Sequence, residues 1–226
     1  MSKVHKISIA VMCVSLVFAI VLGVLTRNSY QYFDRDNGVV TKEVEYTKKN
    51  TDKLSVEKLI KKLKKVEFAF VVSVNESENI SESTKVTATI DEIIKGDGEQ
   101  IGNTIIIHEP NFFWYTKRSD ENSYYYLNYV NNLMQKEKQY LVFIDKVEFS
   151  EAFQKTLKYT EYAVEVEGFL YAFPLNSSVE VIPTEPREVA YSEIKQYDYF
   201  CYSEGDAEKL SEIKNAVLEY FLNNET

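Results

Sequence analysis

The chain has 226 residues, with 26 basic against 35 acidic side chains and a formal net charge of −9. Set Lys3, Lys6 and Arg27 aside from the 26, and the rest of the chain balances near −12. A surface so acidic, with only four arginines, excludes nucleic acid as a partner and makes anionic lipid headgroups a poor match for it as a whole.

The first element is the run ISIAVMCVSLVFAIVLGVL, Ile7 to Leu25, without charge or proline. As a helix it would reach roughly 28 Å, close to the thickness of a bilayer core. It predicts a transmembrane anchor that contacts membrane lipid through residues 7–25. The run is longer than the core of a secretory signal, and no A-x-A site follows it. The alternative is cleavage after Gly23 and secretion. Lys3 and Lys6 place the short N-terminus in the cytoplasm and the rest outside the cell. Cys13 lies in this run and Cys201 near the other end, so no internal disulfide is expected, as is ordinary for a bacterial envelope protein.

Residues 1–27 thus read as the cytoplasmic tip and anchor, 28–50 as a polar stalk with a short strand near Val39 to Tyr46, and 51–226 as one extracytoplasmic domain. In LSVEKLIKKLKKV the apolar positions Val56, Leu59, Ile60, Leu63 and Val66 form one helical stripe, with Ser55 or Asp52 as its cap. Five lysines, 58, 61, 62, 64 and 65, take the opposite side. The strand-like sequence that follows predicts a helix packed on a sheet, its lysines in solvent.

Strands are predicted at Phe68 to Val74, Lys85 to Ile90, Thr104 to His108, Tyr140 to Ile144, Tyr162 to Glu167, Phe169 to Phe173 and Val179 to Ile182. Ile93 and Ile94 break the alternation as a bulge would, and Lys95-Gly-Asp-Gly98 reads as a turn. Tyr140 to Ile144 is apolar throughout, as in a strand buried on both faces. A final helix spans about Asp206 to Leu222, with Ser203 and Asp206 as its cap. The fold class is mainly β with flanking helices: a small antiparallel, OB-like barrel or sandwich behind one membrane helix.

His108 is the single histidine after the apolar run, and no HExxH or CxxC pattern occurs. The sequence therefore indicates no catalytic set, no metal and no cofactor. The candidate ligand-binding residues are aromatic: Phe113, Trp114 and Tyr115 on one side of a polar loop, Tyr125 and Tyr129 on the other. Tyrosine and tryptophan give large contact area at low entropic cost. Asn128, Asn131 and Asn132 stand beside them as hydrogen-bonding groups for a sugar or peptide.

The order of segments resembles a β-barrel domain of bacterial envelope proteins to which no activity is assigned. The runs that carry it are EFAFVVSVN at 67–75, VTATIDEIIKGDG at 86–98, TIIIHEP at 104–110 and KEKQYLVFID at 136–145. That family shows a strand ending in V-x-KGD and a GEEYLLFL-type strand. Here Ser73 replaces a frequent glycine, and an aromatic insert precedes the last strand. The resemblance implies an OB-like fold and an envelope address, and no catalytic residue. The function expected is non-catalytic binding or interaction at the cell envelope, with a cell-wall component or envelope protein as partner. The alternatives are a hydrolase using two carboxylates and a regulatory subunit of a membrane complex.

Overall fold

The computed structural model describes residues 12, 14–23, 43–46, 55–80, 83–110, 113–117, 123–127, 130–164, 170–177, 189–190, 196–201 and 203–223. The chain divides into two compact units, Met1–Phe33 and Asp34–Thr226. In the first, residues 14–23 are helical, with Val14, Leu16, Val17 and Phe18 exposed. Among the described residues no helix is long and apolar enough to cross a membrane.

The second unit contains a closed five-stranded barrel. Its strands are β2 (Phe68–Ile80), β3 (Ser83–Lys95), β4 (Thr104–Pro110), β7 (Gln139–Lys146) and β8 (Thr160–Val164). They run around the barrel as β2-β3-β4-β8-β7, and β7 returns to pair with β2. The expected antiparallel arrangement is corrected at one seam, because β4 and β8 are parallel. Strands that alternate up and down close a ring only in even number, so a ring of five needs a parallel pair. A short β9 (Ala172–Pro174) adds to β7 beyond the end of its pairing with β8.

Inside the barrel, Phe70, Val72 and Val74 of β2 face Val86, Ala88 and Ile90 of β3, with Ile105, Ile107, Val142 and Tyr162 completing the fill; all are buried. The alternate residues of β2 and β7 point outward, and they are buried too. Ala69, Val71, Leu141 and Phe143 meet two helices, α1 (Val56–Leu63) and α3 (Glu204–Asn223), through Leu59, Leu63, Leu210, Ile213, Val217 and Phe221. Phe143 packs edge-on against Phe173 of β9 and Phe221 of α3. Burying one such ring stabilises by about 1.5–3 kcal/mol. The expectation for Tyr140 to Ile144 holds, since all five residues are buried.

Bulges bend the first two strands around the ring. Against β2, the register skips Ile94 and Asp91 of β3; against β3, it skips Asn75 of β2. The bulge read at Ile93 and Ile94 is thus present. Asp91 is pinned on the outer face, accepting hydrogen bonds from Ser73 Oγ at 2.6 Å and Gln139 Nε2 at 2.9 Å.

The KGD turn works residue by residue. Lys95 Nζ donates to the carbonyls of Lys64 and Val66, closing the C-terminal end of α1. Gly96 adopts φ +103°, and a Cβ there would lie 2.2 Å from Phe68 Cδ1. Ser55 occupies the α1 cap position without a side-chain hydrogen bond, whereas Ser203 caps α3 as expected, accepting from Asp206 N at 3.1 Å. Asp52 lies outside the described residues, as does the strand expected at Val179 to Ile182.

A second, four-stranded sheet has the order β10-β1-β6-β5, from β1 (Glu43–Tyr46), β5 (Phe113–Lys117), β6 (Ser123–Leu127) and β10 (Val189–Ala190). The strand expected in the stalk is therefore sheet-paired, parallel to β6. A short helix α2 (Glu151–Gln154) sits between β7 and β8.

Replacing Gly96 by alanine combines a positive φ with a steric clash and should cost at least about 1 kcal/mol. Gly98 has φ +94° with nothing within 4 Å of the added carbon. Gly98→Ala should therefore cost less, and urea denaturation of the two variants measures the difference.

Candidate functional site

The outer surface of the barrel has two characters. Where Ala69, Val71, Leu141, Phe143 and Phe173 of β2, β7 and β9 point outward it is apolar and covered by helices. On β3, β4 and β8 the outward residues include Lys85, Thr87, Thr89, His108 and Glu161, and none of these is fully buried. Strand alternation produces this face: Ile105 and Ile107 point in, so His108 points out.

The parallel β4–β8 register sets Ile106 opposite Glu161 and His108 opposite Ala163. His108 and Glu161 are thus diagonal neighbours on one face, and Nε2 lies 2.7 Å from Oε2. Their side chains keep 27% and 16% exposure, so both remain reachable from solvent. Beside them the β7–β8 connection encloses a depression of ≈ 300 Å³, lined by Lys146, Phe149, Gln154, Lys158, Tyr159 and Glu161 among others. Glu161 belongs to both features. Lys158 Nζ sits over the Tyr159 ring at 4.8 Å, and Phe149 tilts against Phe153 at 5.0 Å. The lining combines ring faces with carboxylate, amide and ammonium groups.

One end of the same region is fixed by Glu99 in the β3–β4 turn. It accepts from Asn103 Nδ2 at 2.9 Å and from Tyr162 OH at 3.0 Å. Burial pushes its carboxyl up, but the hydrogen bonds from Asn103, Thr160 and Tyr162 and the nearby Lys146 outweigh this and hold it below the ordinary value of 4.5. For Tyr162, burial and then the bonded Glu99 carboxylate push the phenol up.

A second polar group is enclosed. Glu109 is fully buried, and its Oε1 accepts from Met134 N and from Tyr171 OH, both at 2.9 Å. Asn131 donates to the Ala172 carbonyl at 2.6 Å and accepts from Tyr171 N at 3.0 Å. Asn132 donates to the Tyr197 carbonyl at 2.7 Å. Asn131 and Asn132 were expected to offer hydrogen bonds to a ligand. Both are buried, and their amides hold the 196–201 segment and β9 in place, so they do not serve an outer site. Asn128 lies outside the described residues.

Of the aromatic candidates, Phe113, Trp114 and Tyr115 fall on β5 and Tyr125 on β6. These strands form an antiparallel hairpin pairing Trp114 with Tyr126 and Tyr115 with Tyr125. Tyr129 lies outside the described residues. The hairpin belongs to the four-stranded sheet and His108 to the barrel sheet. Sequence reasoning noticed His108 but missed Glu161, 53 positions away, because only the parallel pairing joins them. The β7–β8 depression left no motif in the sequence.

No family model matches the chain, and no curated protein matches it.

Tyr171→Phe removes a hydroxyl from the buried carboxylate and should cost about 1–3 kcal/mol, while His108→Ala, losing a partly exposed pair, should cost under about 1 kcal/mol. Chemical denaturation ranks the two. Glu99 ionises more readily folded than unfolded, so its contribution is complete above pH 4.5 and is lost as pH falls through its lowered folded value. The thermal midpoint of Glu99→Gln should therefore fall less steeply with acidification than that of the parent.

Proposed function

We propose that the chain is a non-catalytic binding module of the bacterial cell envelope, tethered by its N-terminal apolar segment, whose barrel takes a polyhydroxylated ligand such as a wall glycan. The observation that carries this is the coincidence of a solvent-facing polar barrel wall with the β7–β8 depression at Glu161.

The strand order supports the reading. A five-stranded barrel whose first strand pairs with the second and fourth, and whose third runs parallel to the fifth, is OB-like. Barrels of that kind bind oligonucleotides and oligosaccharides on the face of strands two and three and with the loop between strands four and five. Here those parts are the β3–β4 wall and the β7–β8 connection. An acidic chain selects the saccharide over the nucleic acid. Phe149 and Tyr159 offer surfaces for sugar rings, and Glu161, Gln154 and Lys158 offer acceptors and donors for hydroxyls. The tether rests on the uncharged run Ile7 to Leu25 and the helix through 14–23. The order of sequence segments supports the same address through its resemblance to envelope barrels.

A second reading places the ligand on the aromatic hairpin, through Phe113, Trp114, Tyr115, Tyr125 and Tyr129. Pairing of β5 with β6 favours it, since it sets the two aromatic runs side by side.

Soluble wall-glycan fragments titrated onto the full chain in detergent should bind, with Glu161→Ala and Tyr159→Ala each weakening affinity by about tenfold or more, the loss of a charged hydrogen bond or a stacking partner. If Trp114→Ala abolishes binding and Glu161→Ala leaves it intact, the hairpin is the site. If no wall glycan binds, the reading falls.

A further inference from the structure

The lysines of α1 are distributed differently from the charge of the chain as a whole. Between Lys53 and Lys65 six lysines accompany one acid, Glu57, in a protein whose acids outnumber its bases by nine. On a helix of 3.6 residues per turn, Lys58, Lys61 and Lys62 share one stripe, Lys65 follows in the turn just past α1, and all four are exposed. Lys64 lies off that stripe and covers the Tyr220 ring at 4.4 Å. The apolar side of α1 is committed to the core: Leu59, Leu63 and Val66 are buried between barrel and helices, and the half-buried Val56 and Ile60 pack against them. This helix therefore does not insert into a bilayer as an amphipathic helix does, because its apolar face is packed against the core. It can meet a charged surface only through ammonium groups.

We propose that this lysine stripe docks the barrel unit on the anionic headgroups of the membrane that holds the apolar segment. The inference rests on the tether reading. A tether raises the effective concentration of the surface, so weak contacts from a few lysines suffice. The negative total charge makes headgroups a poor partner for the molecule at large. It also orients the molecule: acidic faces are repelled, and the lysine stripe is drawn in. The barrel wall bearing Glu161 belongs to other strands than those under α1.

The test uses the full chain reconstituted into vesicles of phosphatidylcholine alone or of a mixture rich in phosphatidylglycerol. Flotation reads the tether, and acetylation of individual lysines, read by mass spectrometry, reads the dock. On the anionic vesicles Lys58, Lys61, Lys62 and Lys65 should be labelled at least about fivefold more slowly than on the neutral ones. The difference should vanish at about 1 M salt, where screening shortens to roughly 3 Å. Lys158 should label equally on both. Equal labelling of the stripe on both lipids, with the chain floating on both, overturns the dock and leaves the tether standing. A chain that fails to float on neutral vesicles overturns the tether. If it then floats on anionic ones and shows the same protection, the stripe binds headgroups by itself. Protection of the stripe by a soluble anionic wall polymer and not by vesicles would overturn the membrane as its partner.

Discussion

Pairing of Phe68–Ser73 with Gln139–Ile144 is the constraint on which the structure depends. It closes the ring, and closure gives every barrel strand an inside and an outside. Where β2 and β7 turn Ala69, Val71, Leu141 and Phe143 outward both sides are apolar, so that flank must be covered, and α1 and α3 are the elements that cover it. On β3, β4 and β8 the outer side is mostly polar, with Lys85, Thr87, Thr89, His108 and Glu161 around the buried Ile106. The position of the accessible wall, with His108 and Glu161 on it, is thus a by-product of where the helices are required.

The buried polar groups solve a related problem. Segments 130–134 and 196–201 cross the barrel region with little regular structure, so their backbone groups need partners from elsewhere. Phe200 N donates to the Val130 carbonyl at 2.7 Å, and Asn132 N to the Asp198 carbonyl at 2.8 Å. Asn131, Asn132, Tyr171, Tyr199 and Glu109 supply others, and Lys138 pairs with Asp198 at 2.9 Å. A buried polar group without such a partner costs about 1–3 kcal/mol. The asparagines that a surface reading would assign to a ligand are committed to this task.

Much of the barrel was legible in the sequence. Alternation in Lys85 to Ile90 and the uniform run at Tyr140 to Ile144 identified a half-buried and a fully buried strand, because local periodicity records which faces are wet. The Ile93-Ile94 irregularity and the KGD turn were legible for the same local reason. What local pattern could not carry was partnership. The parallel β4–β8 seam, the sheet that joins Glu43–Tyr46 to the aromatic hairpin, and the His108–Glu161 contact all depend on residues far apart in the chain. Asn131 and Asn132 misled because an asparagine looks the same whether it serves a ligand or a buried carbonyl. The Glu161 depression is formed by a loop path, which composition does not encode.

The strand order also dictates a timetable for assembly. β2 is made early, yet one of its neighbours, β7, follows about seventy positions later, and α3 comes last of all. Until α3 arrives, the greasy flank of Ala69, Val71, Leu141 and Phe143 lacks half its roof. A nascent chain therefore displays adhesive strand surface until α3 is made, and the docking of that helix is the step that buries it.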